Sequence, residues 1–170
     1  LLRNARIVVE VSCGVKAGDA VLIVIQKNTK PPYGDDQVPI ARALAQACVE
    51  RGATPLIADL TDWVASPAYK AGRAQPSLAA AVKAADVVIN AADMVPFRLL
   101  TGEPEPDMRR CASGEQRWFA MQTHRMAEWQ LTPERVGLIA RRSRWLVGVV
   151  ERSRTLHVTA PAGTDIRFDL

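Results

Sequence analysis

Only two histidines are available for acid, base or metal chemistry, His124 and His157. Neither belongs to a His-x-x-x-His or Glu-x-x-His spacing that would put two ligands on one helical face, so the chain alone offers no metal site. His157 stands between Leu156 and Val158 in an alternating segment, where a hydrogen-bonded structural role is expected. His124 follows the segment Arg117 to Gln122 and is placed to reach a bound acid or an adjacent domain. The serines of Ser12-Cys13-Gly14 and Ser113-Gly114-Glu115 lack the Gly-x-Ser-x-Gly frame that exposes a nucleophile on a strained turn. Glu103, Glu105 and Asp107 alternate with prolines, and a loop of that kind does not hold a general acid and a base at fixed separation. Cys13, Cys48 and Cys111 form no Cys-x-x-Cys pair and read as small apolar fillers. No catalytic residue and no metal ligand is assigned.

The elements that would position a site are clearer. Ala20 to Ile25 is an unbroken apolar run, the pattern of a strand buried on both faces of a parallel sheet. Val38 to Arg51 has Ile40, Ala43, Leu44, Ala47 and Cys48 on one helical face, and Gly52 is placed to end it. Leu56 to Leu60 reads as a second buried strand and Asp86 to Asn90 as a third, with an alanine-rich helix from Pro76 to Ala85 between them. Arg117 to Gln122 is the fourth. Leu2 to Cys13 has near-helical spacing, although Ile7-Val8-Val9 also suits a strand. Between Trp63 and Gln75 the chain is a connection punctuated by proline and glycine, with Trp63 and Tyr69 packing over the sheet.

The expected architecture is α/β: a Rossmann-like open, mostly parallel sheet with helices on both faces, ending in a strand-turn-strand. In such sheets ligands bind beyond the strand carboxyl ends. Asn90, Asp93 and His124 are therefore the substrate-cleft candidates, and the loop Asn28 to Gln37 borders the same crevice. Gly34 alone is no phosphate-binding motif, and the Gly-x-Gly-x-x-Gly and Walker patterns are absent.

Thr132-Pro133-Glu134 opens a last helix running to about Arg152, with an apolar stripe of Val136, Ile139, Ala140, Leu146, Val147 and Val150. Its arginines, Arg135, Arg141, Arg142, Arg144, Arg152 and Arg154, suit a solvent-facing helix. With no aromatic interleaving they do not describe a nucleic-acid surface. Leu156 to Leu170 closes the chain as a strand, a Pro161 to Asp165 breaker and a second strand.

At 170 residues, 48% hydrophobic and 24% charged, with a net charge of +4, the chain fits one globular domain able to bury a core without disulfides. Arg3, Arg6 and Glu10 interrupt the first residues, so no signal peptide is read, and Ala20 to Ile25 is far short of a membrane span. The expected compartment is the cytoplasm and no membrane partner is expected. The chain opens on Leu1 and stops on a strand with no closing turn, and a fragment of a longer protein is expected.

Several segments together resemble one family. These are the turn Gly14-Val15-Lys16-Ala17-Gly18-Asp19 before the first strand, the helix end Glu50-Arg51-Gly52-Ala53 and the strand opening Ala84-Ala85-Asp86-Val87-Val88-Ile89-Asn90. With the closing Val158-Thr159-Ala160-Pro161-Ala162-Gly163-Thr164-Asp165 they are similar, over nearly the whole chain, to the N-terminal half of aminopeptidase T. The leucyl-aminopeptidase-like metallopeptidases form that family, and ring-cleaving dihydroxypyridine dioxygenases are similar to it in fold. The resemblance implies an α/β domain over 1–160, with 161–170 beginning a junction at Gly163, Thr164 and Asp165 to a C-terminal catalytic domain. It implies a divalent metal, zinc or cobalt, held by that absent half, and none held by this chain alone. It also implies a peptide or small-molecule substrate and a homodimer of the full-length protein. In the dioxygenase alternative the metal is a non-haem iron. A stand-alone, non-catalytic α/β binding module is the further alternative.

Overall fold

Strand β1, Ala20–Ile25, is the axis of the sheet, and the alternation of its side chains divides the core in two. Val21, Ile23 and Ile25 point to one face, where they meet Ile40, Leu44 and Cys48 of helix α2, Val38–Glu50. Leu22 and Val24 point to the other, against Leu78 and Val82 of helix α5, Pro76–Ala84. The computed structural model describes residues 1–27, 37–92, 95–103, 115–120 and 126–169.

Four strands make the sheet: β1, β2 (Thr54–Asp59), β3 (Val87–Asn90) and β4 (Arg117–Ala120). Their order is β2-β1-β3-β4 and all neighbours run parallel, with Leu22 beside Leu56 and Val88, and Ile89 beside Phe119. Helices lie on both faces, as the apolar runs required. The fold is therefore a Rossmann-like α/β sheet, and a separate antiparallel hairpin, β5 (Thr155–Thr159) with β6 (Asp165–Asp169), supplies the strand-turn-strand. No helix among the described residues is long and apolar enough to cross a membrane.

The first residues are helical: α1, Leu2–Ile7, continues as a π-helical turn, Val8–Ser12. Asn4 is buried there because its Nδ2 donates to the carbonyls of Met126 and Trp129, both at 2.8 Å. After α2, Gly52 takes φ +77°, and Ala53 N–H donates to Cys48 O at 3.0 Å, which turns the chain into β2.

Two expectations need correction. Strand β2 is not buried, since Leu56 is 58% and Ile57 38% exposed. It is the edge of the sheet, with a neighbour on one side only, and apolar residues at an edge keep the composition of a core strand without its cover. The connection after it holds two short helices, α3 (Thr61–Ala65) and α4 (Pro67–Lys70), the second capped by Ser66 Oγ accepting from Tyr69 N–H at 3.3 Å. Trp63 and Tyr69 pack edge-to-face, with centroids 5.1 Å apart, over the Leu22 side of the sheet. Strand β4 is described over Arg117–Ala120; Met121 and Gln122, the expected end of that strand, lie outside the described residues.

The chain divides into two compact units, Leu1–Leu131 and Thr132–Leu170. The second opens with α6, Pro133–Val150, whose Thr132 Oγ1 accepts from Arg135 N–H at 3.2 Å. Its apolar stripe stays exposed, with Ile139 at 62% and Leu146 at 52%. The hairpin follows.

Candidate functional site

In the order β2-β1-β3-β4 the connections leave β1 in opposite directions, so the switch point lies between the carboxyl ends of β1 and β3. Three side chains hold the backbone that leaves the strands there. Gln26 N–H donates to Oε1 of Gln37, a buried residue at the start of α2, at 2.8 Å. Lys27 N–H donates to Thr61 Oγ1 at 2.9 Å. Asn90 Oδ1 accepts from Ala92 N–H at 3.1 Å, an Asx-type turn at the exit of β3.

Asp59, at the end of the edge strand β2, organises the β2 side of this rim. Its Oδ1 accepts from Thr61 N–H at 3.0 Å and from Thr61 Oγ1 at 2.5 Å. Burial works to raise the Asp59 pKa, but the two bonds from Thr61 and the nearby Lys27 charge outweigh it and hold the carboxyl below its ordinary value. The rim thus carries a fixed carboxylate beside an exposed ammonium. Gln26 Oε1 is buried with no hydrogen-bond partner among the described residues. These groups can orient a ligand.

Of the cleft candidates, Asn90 is half-buried at the switch point, in register with Val24 of β1 and Ala120 of β4. Asp93 and His124 lie outside the described residues, as do most of the loop Asn28 to Gln37 and of the acidic loop after Glu103. Gly163, Thr164 and Asp165 belong to the hairpin of the second unit, so the boundary expected at 160 falls between two paired strands. Gly163 takes φ +97° at the reversal. Asp165 bonds to the side chain of His157 instead of to the amides of its turn, Oδ1 to Nε2 at 2.6 Å.

Gln37 closes the loop expected to border the crevice, whereas Gln26, Lys27, Asp59 and Thr61 belong to no motif in the sequence. The available signal was position: Gln26-Lys27 directly follows an apolar strand, and Asp59 with Thr61 brackets the end of the next. Among the described residues no three His, Cys, Asp or Glu side chains are grouped so as to hold a metal ion. Cys13 and Cys48 are buried free thiols, whose pKa values burial pushes up to about 12 and about 11; Cys111 lies outside the described residues. A shallow apolar groove of about 200 Å³, lined by Leu22, Thr54, Leu56, Ala81, Ala84 and Ala85, lies toward the opposite end of the sheet.

No protein-family model matches the sequence, and no curated protein does. Among solved structures, a protein described as an alcohol dehydrogenase superfamily protein from Novosphingobium aromaticivorans aligns at 14% identity with a TM-score of 0.35. The alignment covers 93% of this chain and 52% of the other, so the chain spans about half the length of that structure. A likeness that loose bears on neither fold nor function.

Proposed function

We propose that the chain is the N-terminal, substrate-cleft-shaping half of an aminopeptidase T-like, metal-dependent hydrolase. The observation that carries this reading is the rim at the switch point. Gln37, Thr61 and Asn90 spend their side-chain acceptors on the backbone leaving β1 and β3, which is what a half that shapes a cleft requires. The described residues do not furnish a ligand set for zinc, cobalt or iron, so no chemical step is assigned to them. Their part is to bind and orient: Asn90 and the Asp59-Thr61-Lys27 group bound the space in which a small-molecule or peptide substrate would lie. The order of motifs along the chain supports the family. The same reading places the protein in the cytoplasm, as a homodimer, with no nucleic-acid partner.

The test uses the full open reading frame beside the 170-residue chain. Hydrolysis of L-leucine p-nitroanilide by the longer protein loaded with zinc or cobalt, and none by the chain alone, is the expected result. Iron content with oxygen uptake on a dihydroxypyridine would replace it with the ring-cleaving dioxygenase. A reading frame that stops at Leu170 would remove both enzymes and leave a non-catalytic binding module.

A further inference from the structure

Along β6 the charged residues are Asp165, Arg167 and Asp169, with signs that alternate, and Ile166 and Phe168 lie between them. We propose that β6 is a self-complementary edge through which two copies of the chain pair antiparallel. The inference stands on the hairpin and does not depend on the hydrolase reading.

The ladder shows which groups are available. Leu156 faces Phe168 and Val158 faces Ile166, so these four share one face, and Val158, Ile166 and Phe168 are 41%, 46% and 48% exposed. The polar residues occupy the other face. Ala160 N–H donates to Thr164 O at 2.9 Å, which makes that pair a hydrogen-bonded one. Bonded pairs alternate in an antiparallel ladder, so Ile166 and Phe168 turn their backbone groups to β5, and Asp165, Arg167 and Asp169 turn theirs outward. Among the described residues no strand takes them up.

A free edge is ordinarily protected against its own copy by proline or by charge of one sign. Strand β2 shows that device. Thr54 N–H and Leu60 N–H donate to the β1 side, so Pro55, Ile57 and Asp59 face out, and Pro55 has no N–H to offer. Strand β6 has the reverse. Antiparallel pairing centred on Ile166 sets Asp165 opposite the partner's Arg167 and Arg167 opposite the partner's Asp165. Pairing centred on Phe168 sets Arg167 opposite the partner's Asp169. Both keep the apolar faces continuous, whereas registers centred on Asp165, Arg167 or Asp169 set that residue against its own copy and oppose like charges. Two hairpins joined this way make a four-stranded sheet, past the roughly three strands needed for independent stability.

Sedimentation velocity of the chain, from low-micromolar to submillimolar concentration, tests the pairing. The wild-type chain is expected to show a monomer–dimer equilibrium. Arg167→Glu makes the edge uniformly acidic and should weaken the dimer by about tenfold or more. The triple substitution Asp165→Lys, Arg167→Glu, Asp169→Lys restores opposite signs in reverse and should return the wild-type dissociation constant to within about threefold. Far-ultraviolet circular dichroism checks that the variants fold alike. A wild-type chain that stays monomeric, an Arg167→Glu variant that dimerises like wild type, or a triple variant that does not recover would each overturn the proposal.

Discussion

Arg117 Nη2 lies 2.7 Å from Asp19 Oδ2, so the outer strand β4 is fastened to the turn that feeds β1. The same guanidinium donates from Nη1 to the carbonyl of Gly14, and Asp19 Oδ2 also accepts from Lys16 N–H at 2.6 Å. Side-chain exposures of 29% and 13% make this a partly shielded pair. Removing one partner leaves the other charge poorly solvated, so Arg117→Ala should cost about 2 kcal/mol. Arg117→Lys should recover only part of it, because an ammonium cannot span both acceptors as the fork does. Urea midpoints of the three proteins, read at constant slope, check the ordering.

Gln116 is buried, and both polar atoms of its amide are hydrogen-bonded. Nε2 donates to Val82 O at 2.7 Å and to Ala85 O at 2.8 Å, and Oε1 accepts from Trp118 Nε1 at 2.8 Å. It ties the end of α5 to the start of β4. Gln116→Leu keeps the volume but strands two carbonyls and an indole N–H, and a loss of about 2–4 kcal/mol is expected in chemical unfolding.

Gly52 is the glycine whose replacement should be most informative. At φ +77° an added Cβ would sit 3.3 Å from the Cβ of Ala17, and Gly52 O accepts from Gly18 N–H at 2.9 Å. Gly52→Ala is expected to lose about 1–2 kcal/mol from backbone strain, with a further loss if Ala17 cannot yield. Ala17→Gly in the same chain should relieve the contact and leave the strain. Thermal melts of the single and double variants separate the two.

The buried thiols should be silent in the folded chain. With pKa values near 12 and 11, Cys13 and Cys48 have thiolate fractions at pH 8 that fall ~100-fold or more below those of unfolded thiols. In a Cys111→Ser background, Ellman's reagent should react slowly in buffer and fast in urea. The same shifts set a pH dependence. Between pH 9, the ordinary thiol value, and about 11 for Cys48 or about 12 for Cys13, the native state keeps protons that the unfolded chain has lost. Stability is therefore whole below that window and falls as pH rises through it, which alkaline unfolding curves would register.

Much of the fold was legible because it is written in local patterns. The run Ala20 to Ile25 has the length and composition of a strand shielded on both faces, and Ile40, Ala43, Leu44, Ala47 and Cys48 have the spacing of one helical face lying on it. Strand β2 misled for a physical reason: Leu56 and Ile57 are as apolar as core residues, but burial depends on a neighbour that composition does not name. The site was legible in position alone. Asn90 could be placed past a strand end, and the bond between Asp59 and Thr61 is local, whereas the bond from Lys27 to Thr61 joins the exits of two strands and exists only once β1 and β2 are in register.

The exposure of β2 has a direct consequence for mutation. Leu22 and Leu56 are register partners on the same face of adjacent strands, yet Leu22 is 1% exposed and Leu56 58%. Leu22→Ala opens a cavity between the sheet and α5 and should cost about 3–4 kcal/mol. Leu56→Ala gives up contact mainly with water and should cost about 0.5 kcal/mol or less. Urea unfolding of both variants at neutral pH decides it. Comparable losses would mean that this face of β2 is covered in solution, and the alanine-lined groove of Ala81, Ala84 and Ala85 beside it would then be the place to look for what covers it.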